Sequence, residues 1–155
     1  GYDIPPDEWA KKFSDSKFCL TIRGDQPASR SFNRSIRAGC MPVVISDLLP
    51  LFQSYFTKTL QYEDFALIIK EKDFLKDPIG SLDKAISLPP SKINEKVEGL
   101  RLMQRIVAVN QSDSLFVPAL AREVVETIKE KGCAMAVYGG CLNFESFQRK
   151  QKIKC

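Results

Sequence analysis

The side chains best equipped for chemistry gather in one short stretch, Arg23-Gly24 and, a few residues on, Ser29-Arg30-Ser31. Each arginine offers a planar fork of donors that matches two phosphate oxygens at once. The serines add hydroxyls, and Gly24 lets a ligand come close to the backbone. Such a set is suited to a diphosphate if it stands where a helix begins, because the first turn presents unpaired N–H groups and partial positive charge. In a group transfer from a nucleotide, these groups would stabilise the departing diphosphate as charge develops on it. One carboxylate, Glu71, follows directly on a later apolar run. A carboxylate there can face a ligand crevice or simply solvent. Arg34 and Arg37 lie further along and read as a solvated face.

The surrounding residues predict the elements that would position this set. Phe18-Cys19-Leu20-Thr21-Ile22 is a short apolar run of β-formers, placing a strand over 17–22. Arg23-Gly24-Asp25-Gln26-Pro27 punctuates it as a turn. Ser29 or Ser31 can cap the helix that follows, and Gly39 suits the left-handed position that ends one. Met41 to Ile45 is a second strand. Two strands joined through a helix should lie parallel with a right-handed crossover, and ligands of such units bind at the carboxyl end of the first strand. A third strand is expected over 65–70, with Glu71 at its carboxyl end.

Composition removes several alternatives. The chain has no histidine and no C-x-x-C pair, which excludes a zinc centre and any His-based triad or general base. Neither GxGxxG nor GxxxxGK[ST] occurs, so the usual dinucleotide and P-loop readings fail. The net charge of +4 suits an anionic small ligand and is too diffuse to argue for nucleic acid. Cys19 and Cys40 sit in apolar strand contexts and read as buried small hydrophobes; a disulfide is the alternative, and the odd count of five cysteines would leave a thiol over. No stretch approaches 18 apolar residues. The chain opens on Gly1 instead of Met, so it is expected to be a piece of a longer product.

The Phe-Cys-Leu strand, Gly-containing turn, Ser/Arg-bearing helix start and Gly39-Cys40-Met41-Pro42-Val43-Val44 together resemble the C-terminal part of the exostosin-type glycosyltransferases, glycosyltransferase family 47. Pro50-Leu51-Phe52, the run Phe65 to Ile69 with Glu71, and the helix carrying Met103 extend the resemblance, which covers roughly 8–131. It implies an α/β fold: a Rossmann-like parallel sheet with flanking helices, the C-terminal half of a two-domain GT-B glycosyltransferase. It implies inverting transfer of a sugar from a UDP-sugar to a glycan or glycoprotein acceptor. The diphosphate would be held by Arg23, Gly24, Ser29, Arg30 and Ser31, and Glu71 would orient the donor sugar or ribose. No metal or other cofactor is implied, no catalytic residue is assigned, and nucleic acid is no partner. The acceptor domain and the membrane anchor typical of these Golgi enzymes would lie upstream of this chain. The sequence departs from the family where an acidic residue usually stands five positions before the Gly of Gly-Cys-x-Pro-Val; here that position is Arg34, and Ser31 stands where the family has Arg. A non-catalytic or truncated relative acting as a binding module is the alternative.

The rest of the chain supplies a scaffold. Asp7 to Phe13 reads as a short helix with Asp7 as cap, Leu48 to Thr59 as a loop whose Phe52, Tyr55 and Phe56 close over the sheet edge, and Leu75 to Leu88 as a helical segment broken at Pro78 and Gly80. Ser91 is expected to cap a helix running to about Val109 with Ile93, Val97, Leu100, Met103 and Val107 as its apolar stripe. Leu115 to Lys131 is a further amphipathic helix carrying Leu120, Val124, Val125 and Ile128. The nucleotide-sugar domain is thus placed at 1–132 and an irregular or disordered tail at 133–155. A half-molecule is expected to expose an apolar wall.

Overall fold

The structure is a computed structural model and describes residues 5–25, 29–49, 56–131, 136–137 and 140–141. Its centre is a three-stranded parallel sheet in the order β1-β2-β3, formed by β1 (Phe18–Ile22), β2 (Met41–Ile45) and β3 (Leu67–Ile69). Helix α1 (Pro6–Ser14) precedes β1, and α2 (Arg30–Ala38) carries the chain from β1 to β2. The short α3 (Tyr62–Phe65) leads into β3; α4 (Glu71–Lys76), α5 (Pro78–Ile86), α6 (Pro90–Val107) and α7 (Phe116–Lys131) follow.

The parallel α/β expectation therefore holds, and its register is set by burial. Every residue of β2 is buried, as a strand covered on both faces must be. Strand β1 alternates: Cys19 and Thr21 are buried, whereas Leu20 and Ile22 are 46% and 51% exposed. Leu20 and Ile22 pair with Val43 and Ile45, so the face covered at β2 lies open at β1. Helix α2 packs on β1 and β2 through Phe32 and Ile36, and Gly39 ends it with φ 75°, where only glycine is unstrained. Leu100, Met103 and Ile106 of α6 complete one continuous core with Phe32, Tyr62 and Phe65, whose rings stack at centroid distances of 5.6–6.1 Å.

Several expectations need correction. Cys19 and Cys40 are not separate buried thiols: they form a disulfide with Cα atoms 5.7 Å apart, since the parallel register brings the start of β2 beside β1. The third strand is shorter than 65–70, because Tyr62–Phe65 is helical and Gln61 with Asp64 makes a reciprocal capping box. Asp7 and Ser91 are not N-caps. The second proline of each Pro-Pro pair occupies the first helical position and the first proline the cap, which suits a residue with no N–H to leave unpaired. The segment from 75 to 88 is two helices; Asp77 caps the second by accepting the Gly80 N–H at 3.0 Å.

Helix α7 buries little of its apolar stripe. Ala119 is buried, but Val117 is 72% exposed, and Leu120, Val124 and Val125 are exposed too. Polar contacts anchor it instead: Glu123 accepts the Lys58 N–H at 2.9 Å, and Lys58 pairs with Glu130 at 2.6 Å. That pairing raises the Lys58 pKa, chiefly through the Glu130 hydrogen bond. Beyond α7, β4 (Ala136–Val137) and β5 (Gly140–Cys141) make a small antiparallel pair within the stretch expected to be irregular. Phe52, Tyr55 and the Pro50-Leu51-Phe52 motif lie outside the described residues, whereas Phe56 packs edge-on against Phe116 at 5.7 Å.

Candidate functional site

The carboxyl ends of the three strands bring together four charged side chains. Arg23 follows β1 and donates its N–H to the Ile45 carbonyl, continuing the ladder one residue past the strand. Its Nη1 lies 3.2 Å from Oε2 of Glu71, the first residue of α4 beyond β3. Oε1 of Glu71 accepts the backbone N–H of Asp47, just past β2, at 3.0 Å. Lys70 Nζ stands 3.9 Å from Asp47 Oδ1. Two oxygens of one carboxylate thus reach the ends of β1 and β2 from the end of β3. Asp47 and Lys70 escaped the sequence reading, although the rule that singled out Glu71, a charge at the carboxyl end of a parallel strand, applies to both.

The second group forms at the start of α2. Ser29 is the N-cap residue with extended backbone, yet its hydroxyl does not bond the helix backbone; Ser29 Oγ and Ser31 Oγ lie 2.7 Å apart. The N–H groups of the first turn are therefore not taken by the cap side chain. No acidic residue stands in that turn, so the positive end of the helix is not offset by its own side chains. Arg30, at the first helical position, is exposed. Phe32 and Ile36 fix this face by packing into the core, and Ser35 anchors the turn by donating to the Ser31 carbonyl at 2.7 Å. Gly24 is exposed, and a Cβ there would meet nothing within 4 Å. Neither packing nor a positive φ demands glycine at that point.

The expected set thus resolves into two contacting pairs, Arg23 with Glu71 and Ser29 with Ser31, at the two ends of the segment joining β1 to α2, with Gly24 and Arg30 exposed beside them. Chemically the arrangement offers arginines, hydroxyls and helix N–H groups for anionic oxygens, and a carboxylate acceptor for hydroxyls. Arg34, standing where the family has an acid, borders a cleft with Trp9, Phe13 and Ser14 of α1.

A three-stranded parallel sheet flanked by helices, with charged side chains at the carboxyl ends of its strands, places the chain in the Rossmann-like α/β class. The Exostosin GT47 domain family matches residues 4–86, more than half of the chain, and the chain belongs to that family. It is 37% identical over 73 residues to an exostosin-1 homolog of Caenorhabditis elegans, covering 46% of this chain and 18% of the relative. It is 27% identical over 114 residues to a probable glycosyltransferase of Arabidopsis thaliana, covering 70% of this chain and 22% of the relative. The chain thus spans about a fifth of the length of these curated relatives. No helix among the described residues is long and apolar enough to cross a membrane.

Proposed function

We propose that the chain is the donor-binding half of a two-domain, GT-B-type inverting glycosyltransferase that transfers a sugar from a UDP-sugar to a glycan or glycoprotein acceptor. The observation that carries this reading is the Arg23–Glu71 pair at the carboxyl ends of parallel strands, with α2 carrying the chain from β1 to β2. In this reading Arg23, Arg30, Ser29, Ser31 and the backbone at Gly24 hold the diphosphate, and Glu71 accepts hydrogen bonds from the ribose or donor sugar. The family membership and the names of the two relatives support it. An acceptor domain elsewhere in the full-length protein supplies the catalytic base. The Cys19–Cys40 disulfide favours an oxidising compartment, in keeping with the Golgi lumen.

Calorimetric titration with UDP, alongside Arg30→Ala, tests the donor site. Saturable binding that weakens in the variant supports it. No heat and no thermal shift at about 1 mM UDP, roughly the weak end of specific binding, overturns it.

A second reading has one observation of its own. Arg34 replaces the family acid and stands beside α1, so a carboxylate grip on the nucleoside is missing at that point. A non-catalytic binding module would tolerate that change. Restoration of measurable UDP affinity by Arg34→Glu alone, from none in the parent, would favour this reading.

A further inference from the structure

A second cleft lies at the other end of α2, away from the strand-end site. It has a volume of about 510 Å³ and is walled by Arg37, Arg101, Gln104 and Arg105, with the turn from Ala108 to Gln111 as its floor. It shares Arg37 and Val107 with an adjoining cavity of about 340 Å³ lined by Ile36, Phe56 and Phe116. The two adjoin along these shared residues, the smaller apolar and aromatic and the larger arginine-rich. No carboxylate is among the described residues lining either part.

The bland account of the arginines is helix-end electrostatics, since Arg37 and Arg105 stand in the last turns of α2 and α6, where carbonyl ends favour cations. That account leaves two features unexplained. Arg101 lies a turn earlier in α6 and joins the same wall. The carbonyl of Arg37 already receives Gln104 Nε2 at 3.3 Å, so α2 has a neutral donor at this end. Arg101 and Arg105 hold Glu98 and Asp113 at 2.6 and 3.1 Å, but these pairs are largely exposed and contribute little that a dianion would have to displace. Arg37 makes no ion pair among the described residues.

We propose that this cleft binds an amphipathic organic anion: a phosphate, sulfate or carboxylate held by Arg37, Arg101 and Arg105, carried on an apolar ring system that seats against Phe56 and Phe116. Three arginines lining one cleft without a lining acid select the charged head. The aromatic lobe selects the body, because burying a ring there removes apolar surface from water. The site is independent of the donor site and needs no sugar transfer.

Calorimetry with 1-naphthyl phosphate tests it, with 1-naphthoate, inorganic phosphate and 1-naphthol as separate arms. The expected result is saturable binding of naphthyl phosphate, with phosphate alone and naphthol alone each at least about tenfold weaker. The naphthoate arm reports whether the head must be a phosphate or any acid. The double variant R37A/R105A is expected to lose at least about tenfold in affinity while still unfolding cooperatively, and Arg23→Ala leaves naphthyl phosphate binding intact. Equal binding by the double variant, equal binding of phosphate alone, or no binding by the parent chain would overturn the proposal. UDP titration of Arg23→Ala beside R37A/R105A assigns any UDP binding to one site or the other, so the two readings fail separately.

Discussion

Arg23 and Glu71 meet at 3.2 Å across the carboxyl ends of β1 and β3, and the same carboxylate reaches over β2 to take the Asp47 N–H at 3.0 Å. One side chain thus ties all three strand ends. Its side chain is 22% exposed, which shields the backbone hydrogen bond more than the arginine contact. Glu71→Ala should cost about 1 kcal/mol of stability, since an exposed ion pair contributes little and most of the loss comes from the Asp47 N–H. Glu71→Gln keeps an acceptor and should lose about half as much. If the carboxylate also serves the donor, UDP affinity should fall by about tenfold or more in both variants. Thermal melting with UDP calorimetry separates the two roles: unchanged affinity in Glu71→Ala would remove Glu71 from the donor site.

Gly24 divides ligand from fold more cleanly. A methyl group there meets open space and the backbone needs no positive φ, so Gly24→Ala should leave stability unchanged or raise it by about 0.5 kcal/mol by restricting the unfolded chain. UDP affinity should drop nonetheless, because the added Cβ stands where a diphosphate would approach the backbone. A Gly24→Ala chain that binds UDP like the parent would show that the glycine serves neither.

The Cys19–Cys40 bond closes a loop with a sequence separation of 21 that contains the turn after β1 and all of α2. Loop-closure entropy for this length amounts to about 3 kcal/mol. Reductant, or Cys19→Ser with Cys40→Ser, should therefore lower the melting temperature by roughly 6–12 °C. Identical melting with and without reductant, in protein shown by mass to be oxidised at the start, would contradict this.

The β1-α2-β2 unit was legible because each local signal agreed: β-forming runs of the right length, a turn, and a glycine at the one position with positive φ among the unit's described residues. Cys19 and Cys40 were misread because an apolar strand context accounts equally for a thiol and for half a disulfide, and only the register decides between them. Helix α3 was missed although Gln61 and Asp64 carry its capping box, since the helix has four residues and its Phe65 continues into the apolar run of β3. In the site, the end-of-strand rule could nominate Arg23 and Glu71 but not the contact between them. The Arg23 contact depends on three strands being in register, which no local pattern encodes.

Lys96 gives a pH-dependent prediction. Its ammonium donates to the Glu63 and Ala66 carbonyls, and burial pushes its pKa below the usual 10.5 even though Asp64 and Glu63 oppose the shift. The folded state therefore releases this proton before the unfolded state does. Between the folded pKa and 10.5 the unfolded chain binds more protons, so stability from this group rises with pH through that window. Below the window its desolvation cost is fully present. Compared with Lys96→Met, which cannot titrate, the parent should gain stability as pH is raised toward 10.5 in denaturant titrations. A stability gap that stays flat or reverses would show that the ammonium is not desolvated.

Gly99 is where α6 comes closest to α3. A Cβ there would lie 2.9 Å from the Asp64 carbonyl carbon and closer still to its oxygen, with Phe65 Cβ at 3.4 Å. Two effects oppose each other in Gly99→Ala. Alanine improves the helix interior by about 1 kcal/mol. Against it, the methyl group meets backbone and not the mobile end of a side chain, so α6 must move off α3 or the core must shift, at about 1–3 kcal/mol. The clash should win, because Leu100 and Met103 next along α6 are buried in the core and resist displacement. The expected outcome is a net loss of stability in urea or thermal unfolding. It should grow from Ala to Ser to Val, as the side chain pressed on the Asp64 backbone grows. A Gly99→Ala chain more stable than the parent would mean that α6 has room to shift, and that the close approach to α3 does not fix its position.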